Sequence, residues 1–461
     1  MNAESGQRAV AAGASASAGA APVLAVQAAD EKRRLAILLL AIVLGGTLLG
    51  IVYHLILHYG LGWQYPWSTY MFRPAARFSD FLTDWVTVRS YGLSQPQAPT
   101  QMSGYYYAVP EPYVLAYSPA AHLLMRGIAV LPPIWGLTLE IAALLTTVLF
   151  ASYLCMREAF ASAWGRWVAA MAFAFASYPV AFVADRGNFD MVVFAIVFWG
   201  VYLYAKGSWR WAMALLGVAA ALKYYPAILL LLPVIDRRYR AAIWGAVVAL
   251  ATTVAATVAL GFMTPGISPF GVARYAWQTL TGVHGGYTTW GFEGITHRHS
   301  IWSVFHLVWI RVAGADPSTS VSLAYVLVAA LVVAGVVVWL LLVAGPEGRR
   351  VALWRKAGIL IVMMILLPPL SSDYTLLYVF IPLSLMLTAP ELPASGKVAA
   401  VLLALCFVPM DYLFIEPWFK GNATIEPALG DTKSSVITYA CLLLGAGVAM
   451  MLARAPRQVG Q

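Results

Sequence analysis

Asp185-Arg-Gly-Asn-Phe-Asp190 and, further along, Lys223-Tyr-Tyr-Pro226 place charged side chains inside strongly apolar sequence. A charged group at membrane depth costs about 2.5–3.5 kcal/mol on insertion scales. Such groups persist where they are paired, solvated in a cavity or used. The two stretches therefore predict an all-α polytopic integral membrane protein whose polar site is assembled from helix ends.

Composition agrees with this class. Of the 461 residues, 61% are hydrophobic and 11% charged, with a mean hydropathy of +0.76. A soluble domain carries about 25% charged residues, so lipid must solvate most of this chain. The formal charge of +9 does not signal nucleic acid, because the basic residues gather in short connectors. They fall at Lys32-Arg33-Arg34, Arg157 to Arg166, Lys206 to Arg210, Arg237 to Arg240, Arg349 to Lys356, and Arg454 with Arg457. Alternate connectors lack such clusters, which is the positive-inside bias. This places the chain as a multi-pass protein of the inner (plasma) membrane with both termini cytoplasmic. Cys155, Cys406 and Cys441 lie within apolar segments and form no disulfide or metal-ligand pattern.

Residues 1–34 are rich in Ala, Gly and Ser and predict a disordered cytoplasmic tail; 454–461 form a second one. A transmembrane domain fills 35–453, with external loops at 58–132, 263–318 and 415–434. Apolar spans are expected near 35–57, 134–155, 167–183, 190–205, 241–262, 319–344, 357–370, 375–390, 397–414 and 435–453. Between Trp209 and Ile235, Lys223-Tyr-Tyr-Pro226 divides an apolar run flanked by basic residues on both sides, predicting an interrupted hairpin of two short helices. The count is about ten full crossings plus the hairpin, or about ten to twelve transmembrane helices. The first loop is expected to carry interfacial helices at 78–91 and 116–131, the former with Phe78, Phe81, Leu82, Trp85 and Val88 at helical spacing.

In the first loop, Asp80 and Asp84 share a helix face. They read either as a general base with its partner carboxylate or as a solvated polar face. Tyr107 and Tyr117 belong to a Tyr- and Pro-rich stretch suited to stacking on sugars or to an interfacial aromatic belt. Arg186, Asn188 and Asp190 surround a tight turn, where Arg186 offers a fork for phosphate or an internal partner for the aspartate. Lys223 at the hairpin apex calls for an anion, a lipid phosphate being the natural one, unless it snorkels. His297, Arg298 and His299 suit phosphate or sugar contacts, or an exposed cluster, better than a metal. Asp373 either contacts substrate or caps the helix that begins at Tyr374.

Taken in order, these motifs resemble the glycosyltransferase C superfamily, and within it glycosyltransferase family 87. The resemblance rests on Ser79-Asp-Phe81 with Tyr107 and Tyr117-Ser-Pro119, on Asp185 to Asp190, and on Lys223-Tyr-Tyr-Pro226. It continues through His299-Ser-Ile-Trp302 and Pro369-Leu-Ser-Ser-Asp-Tyr374. It implies an inverting transferase moving a hexose, mannose in most members, from a polyprenyl-phosphate donor to a glycolipid or glycan acceptor on the external face. Asp80 then takes the position of the catalytic carboxylate, and no metal or cofactor is implied. The last motif departs from the family, which often carries a His where this chain has Asp373. A transporter or flippase for a lipid-linked glycan is the alternative, with the same cations lining a path.

Overall fold

The computed structural model describes residues 4–55, 118–264, 268–278, 299–313, 319–344, 351–368, 371, 373–409 and 435–453, with single positions at 78, 80–82, 85, 88 and 266. Among these every regular element is helical. Helix α1 (Glu4–Leu55) is followed, beyond the first long loop, by α2 (Pro119–Ile128) and α3 (Pro133–Met156). Next come α4 (Ala163–Phe175), α5 (Tyr178–Arg186), α6 (Asp190–Ala205) and α7 (Trp209–Leu222). A 3-10 helix (Tyr225–Leu231) and the short α8 (Leu232–Ile235) complete the hairpin, and α9 (Tyr239–Met263) leaves it. The second half contains α10 (Pro269–Gln278), α11 (Ile301–Ala313), α12 (Thr319–Ala344) and α13 (Leu353–Leu366). A second 3-10 helix (Asp373–Val379) runs into α14 (Phe380–Thr388), and α15 (Ala394–Leu405) and α16 (Ser435–Leu452) close the chain.

Four of these helices are long and apolar enough to cross a bilayer singly: α1 over Ala29–Val52, α3, α9, and α12 over Ala324–Ala344. Helices α4 and α5 make a fifth span if joined across their 59° bend. The expected crossing at 167–183 is thus broken, for a local reason. Pro179 cannot continue the backbone ladder, and Ser177 is extended. The carbonyl of Ala176 takes a hydrogen bond from the Thr47 hydroxyl at 2.7 Å, and the Tyr178 amide donates to the Phe407 carbonyl at 2.8 Å. Irregular backbone is tolerated at this depth because protein, not lipid, supplies the missing partners.

Other expected crossings are shorter helices, and one of them is enclosed by protein. Helix α13 is buried at every position from Trp354 to Leu366. Arg355 and Lys356, expected to mark a solvated basic connector, are therefore inside the bundle. Arg355 donates to the carbonyls of Met450 (2.7 Å) and Met451 (2.5 Å) at the end of α16, and its guanidinium lies 5.0 Å from the Trp339 ring. Lys356 pairs with Asp236, which also accepts from the Tyr204 hydroxyl at 2.5 Å. Both cations are held by partners that offset their desolvation.

The apolar run is interrupted at Lys223 as expected, but its second leg is a 3-10 helix with one short α turn rather than a single helix. Its first leg, α7, has 14 residues and spans about 21 Å. Gly217 on α7 faces Gly245 on α9 so closely that a Cβ on Gly217 would lie 2.5 Å from the Gly245 carbonyl. Small residues let the two backbones meet, as in membrane helix pairs generally.

One expectation for the N-terminal end of the chain needs correction. Residues 4–34, expected without structure, continue α1; alanine is the strongest helix former, and the adjoining apolar span supplies the nucleus. The apolar stripe of the first-loop helix packs on protein. Asp80, Phe81, Leu82, Trp85 and Val88 are helical, Phe81 and Val88 are buried, and the Trp85 indole donates to the Leu131 carbonyl at 3.2 Å. Cys155 and Cys406 are buried as expected, whereas Cys441 is exposed.

Candidate active site

The site begins at the turn between α5 and α6. Gly187 ends α5 in the left-handed region, with φ 63° and ψ 38°, which glycine enters at least cost. The amides of Gly187 and Asn188 return to the carbonyls of Ala184 and Val183, both at 3.2 Å. A Cβ on Gly187 would also meet the Phe81 Cβ at 2.7 Å. Glycine thus serves twice, bending the chain and admitting the first-loop segment. That segment is tied down by the Phe78 amide, which donates to the Asp185 carbonyl at 2.6 Å.

This docking brings Asp80 to Asn188. The Asn188 amide donates through Nδ2 to Asp80 Oδ2 at 2.9 Å, while its Oδ1 accepts from the Asp190 backbone amide at 2.9 Å. Asp190 begins α6 and is 1% exposed. Its Oδ2 meets Lys223 Nζ at 2.6 Å, and its Oδ1 accepts from the Tyr225 hydroxyl and the Tyr378 hydroxyl, the latter at 3.2 Å. The two tyrosine hydroxyls are 3.0 Å apart. Asp80 is therefore tied to the turn through Asn188, which also holds the Asp190 backbone, while the Asp190 carboxylate separately holds Lys223. The internal pair that the sequence offers, Arg186 with Asp190, is not the one formed: the Asp190 carboxylate takes Lys223. Arg186 is buried, its guanidinium 6.0 Å from the Phe182 ring centroid.

Ser118 fixes the hairpin apex to the first loop. Its hydroxyl donates to the carbonyls of Ala221 (2.5 Å) and Leu222 (2.8 Å), the last turn of α7. It also accepts from the Ala121 amide at 3.2 Å as the N-cap of α2. Lys223 follows as the C-cap in extended conformation, its amide donating to the Ala219 carbonyl at 2.9 Å and its side chain turned to Asp190.

A second polar cluster lies on the same 3-10 helix that carries Tyr378. Asp373 starts that helix, about 10 Å away along its axis at ~2 Å per residue. Its Oδ1 faces His299 Nδ1 at 3.2 Å, and its Oδ2 accepts from the Tyr178 hydroxyl at 2.6 Å. The other imidazole nitrogen, Nε2, faces Thr375 Oγ1 at 3.1 Å. His299 is fully buried, and its backbone amide donates to the Ser371 carbonyl at 3.1 Å. Of the readings for this histidine, exposure on the surface is overturned, because the Asp373 carboxylate draws it inward.

A cavity of about 210 Å³ opens beside the Lys223 cluster, lined by Tyr225, Ile228, Val326, Val333, Met363 and Leu367 among others. Its walls come from the hairpin, α12 and α13, and α12 has Val326, Leu327 and Leu331 largely exposed. The groove is thus apolar, is bounded by a helix with exposed apolar side chains, and meets the polar cluster at Tyr225.

Asp84, Tyr107, Tyr117, His297 and Arg298 lie outside the described residues. Asp80, Asn188, Asp190 and Lys223 come together, with Arg186 on the same turn, and Asp373 joins His299 in the neighbouring cluster. Sequence reasoning did not single out Tyr178, Tyr225, Tyr378, Thr375 or Ser118. Two carried a usable signal, since Tyr225 and Ser118 stand inside motifs already marked.

The family model for glycosyltransferase family 87 matches residues 115–369. No curated protein and no solved structure matches the chain. The matched region contains Ser118, the Arg186–Asp190 turn, Lys223, Tyr225 and His299, and ends short of Asp373; Asp80 precedes it. Since the match takes in more than half of the sequence, this membrane-embedded helical chain belongs to glycosyltransferase family 87.

Proposed function

We propose that this glycosyltransferase moves a hexose, mannose in the first instance, from a polyprenyl-phosphate donor to a hydroxyl of a glycolipid or glycan acceptor, inverting the anomeric centre. The observation that carries the reading is the gathering of Asp80, Asn188, Asp190 and Lys223 about one turn, beside an apolar groove that meets the cluster at Tyr225. A carboxylate, a cation and an apolar channel are the three things such a donor and acceptor require. The groove takes the donor's apolar tail, because its wall on α12 is open to lipid and its far end is polar.

In the single displacement, Asp80 accepts the proton of the acceptor hydroxyl as that oxygen bonds to the anomeric carbon. The bond from that carbon to the phosphate oxygen breaks, and the electron pair leaves with the phosphate. Lys223 and Arg186 stabilise the negative charge that grows there, and a cation aimed at developing charge lowers the barrier most. Asn188 orients Asp80 through its amide. His299, buried against Asp373, holds the end of the second long loop against the 3-10 helix. Arg298 and His297, which precede it in sequence, are proposed to contact the substrate's phosphate or sugar.

The site faces outward. Helix α6 starts at the site and ends at Lys206, while α7 starts beside Arg210 and ends at the site. The basic connector thus lies at the opposite ends of the helices that carry Asp190 and Lys223, and basic connectors stay cytoplasmic.

The test is transfer of labelled mannose from a polyprenyl-phosphate donor by the purified chain in proteoliposomes. Asp80→Asn keeps the fold and loses turnover by about 10²-fold or more, the usual weight of a positioned base. Full turnover in that variant removes the proposed base.

A further inference from the structure

Tyr225 belongs to two environments at once. Its ring lines the apolar groove together with Ile228, Val326, Val333 and Met363. Its hydroxyl donates to Asp190, the same carboxylate that holds Lys223. The ring is also braced edge-on against Tyr378, with centroids 5.8 Å apart and planes at 85°. The other hydroxyl on the groove wall, Tyr325, is taken up by the Leu367 carbonyl at 2.8 Å. Tyr225 therefore forms the end of the groove where apolar lining gives way to charge, and it is fixed there by its hydroxyl and by its neighbour.

We propose that Tyr225 is a specificity-determining residue for the donor's lipid: its ring selects the branched chain adjoining the phosphate, while its hydroxyl positions Asp190 for the Lys223 pair. This rests on the donor reading above and extends it to the segment of lipid next to the phosphate. An isoprenoid carries methyl branches at regular intervals. Against a wall of Val, Ile and Met closed by an immobile ring, those branches fill space that a straight alkyl chain leaves empty. A side chain held by two polar contacts cannot swing aside to close such gaps, so the difference is kept as discrimination. The hydroxyl acts separately, through Asp190, on where the Lys223 ammonium sits.

The experiment compares two mannosyl phosphates in proteoliposomes containing the full chain, one with an isoprenoid tail and one with a straight alkyl tail of equal carbon number. The wild type favours the isoprenoid by about tenfold or more in kcat/KM. Tyr225→Phe keeps that ratio but lowers kcat for both donors, since the ring remains and the hold on Asp190 is lost. Tyr225→Leu and Tyr225→Ala bring the ratio toward one. A wild-type-like ratio in these last two variants, or no preference in the wild type, overturns the assignment. The same holds if Tyr225→Phe loses the preference as fully as they do. If the wild type transfers from neither donor, the donor reading itself fails and the role of Tyr225 falls with it.

Discussion

Asn188 does what few side chains can, donating to a carboxylate with one end and accepting from a backbone amide with the other. Replacement by aspartate keeps the shape and the acceptor but turns the donor into a second negative oxygen facing Asp80. We expect Asn188→Asp to fold and to lose about 1.5–3 kcal/mol of orientation of Asp80, roughly tenfold to a hundredfold in kcat, with donor KM changed little. Equal loss in kcat and in donor binding would show that Asn188 touches the donor instead. Gly187 permits a sharper test of the same contact. Alanine there pays about 1–2 kcal/mol for the left-handed backbone, and its Cβ would press on Phe81 at 2.7 Å. Gly187→Ala is expected to lower activity more than thermal stability, because the first-loop segment carrying Asp80 must shift to relieve the contact. The check is a comparison of turnover with the melting temperature in the same detergent.

The elements that hold the site are joined by few bonds of high consequence. Ser118 is both the N-cap of α2 and the partner of two carbonyls at the end of α7. Ser118→Ala should cost about 0.5–2 kcal/mol from the cap alone, and the loss of the hairpin contacts adds to it. Limited proteolysis near residue 223 would then quicken; unchanged cleavage would show that the apex is held by packing. At the far foot of the hairpin, Lys356→Met leaves the Asp236 charge buried beside Tyr204. Removal of one partner from a buried pair costs about 3–5 kcal/mol, so a large fall in melting temperature is expected. The double change Lys356→Met with Asp236→Leu should recover much of it, since no buried charge then remains.

At this scale one sees which parts were legible in advance. Asp80, in a loop, was marked by its helical spacing with Asp84, whereas Asn188, Asp190 and Lys223 stood out because polar groups in apolar sequence are costly. The hairpin was visible for the same reason, with Pro226 and flanking basic residues marking its middle and ends. The pairing of Lys223 with Asp190 was not, because sequence shows that a buried cation needs an anion but not which one folding supplies. Tyr178, Tyr225 and Tyr378 were hidden by their ordinariness, since tyrosine in a membrane segment is usually read as part of an aromatic belt. The bend before Tyr178 had a written signal in Pro179, masked by the hydropathy of its surroundings. Arg355 and Lys356 misled as a charged connector, because only tertiary contacts with α16 and Asp236 draw them inside.

Over the whole molecule, the expected orientation can be measured directly. In a variant with the native cysteines replaced, a thiol at Val130, which is 83% exposed, should react with an impermeant reagent applied to intact cells. A thiol at Ser208, in the exposed Lys206–Arg210 connector, should react only after the membrane is permeabilised. The reverse pattern would place the Asp80 site on the cytoplasmic face and overturn an outward-facing reaction.

The groove between α12 and α13 has a kinetic consequence of its own. On the proposed donor reading its open side meets hydrocarbon rather than water, so an amphiphile arrives by diffusing in two dimensions along the leaflet. The quantity that saturates such an opening is the mole fraction of donor among the surrounding lipids, not its molarity in the vessel. Diluting proteoliposomes with buffer should leave the rate per protein unchanged, whereas adding inert phospholipid to the same vesicles should slow it.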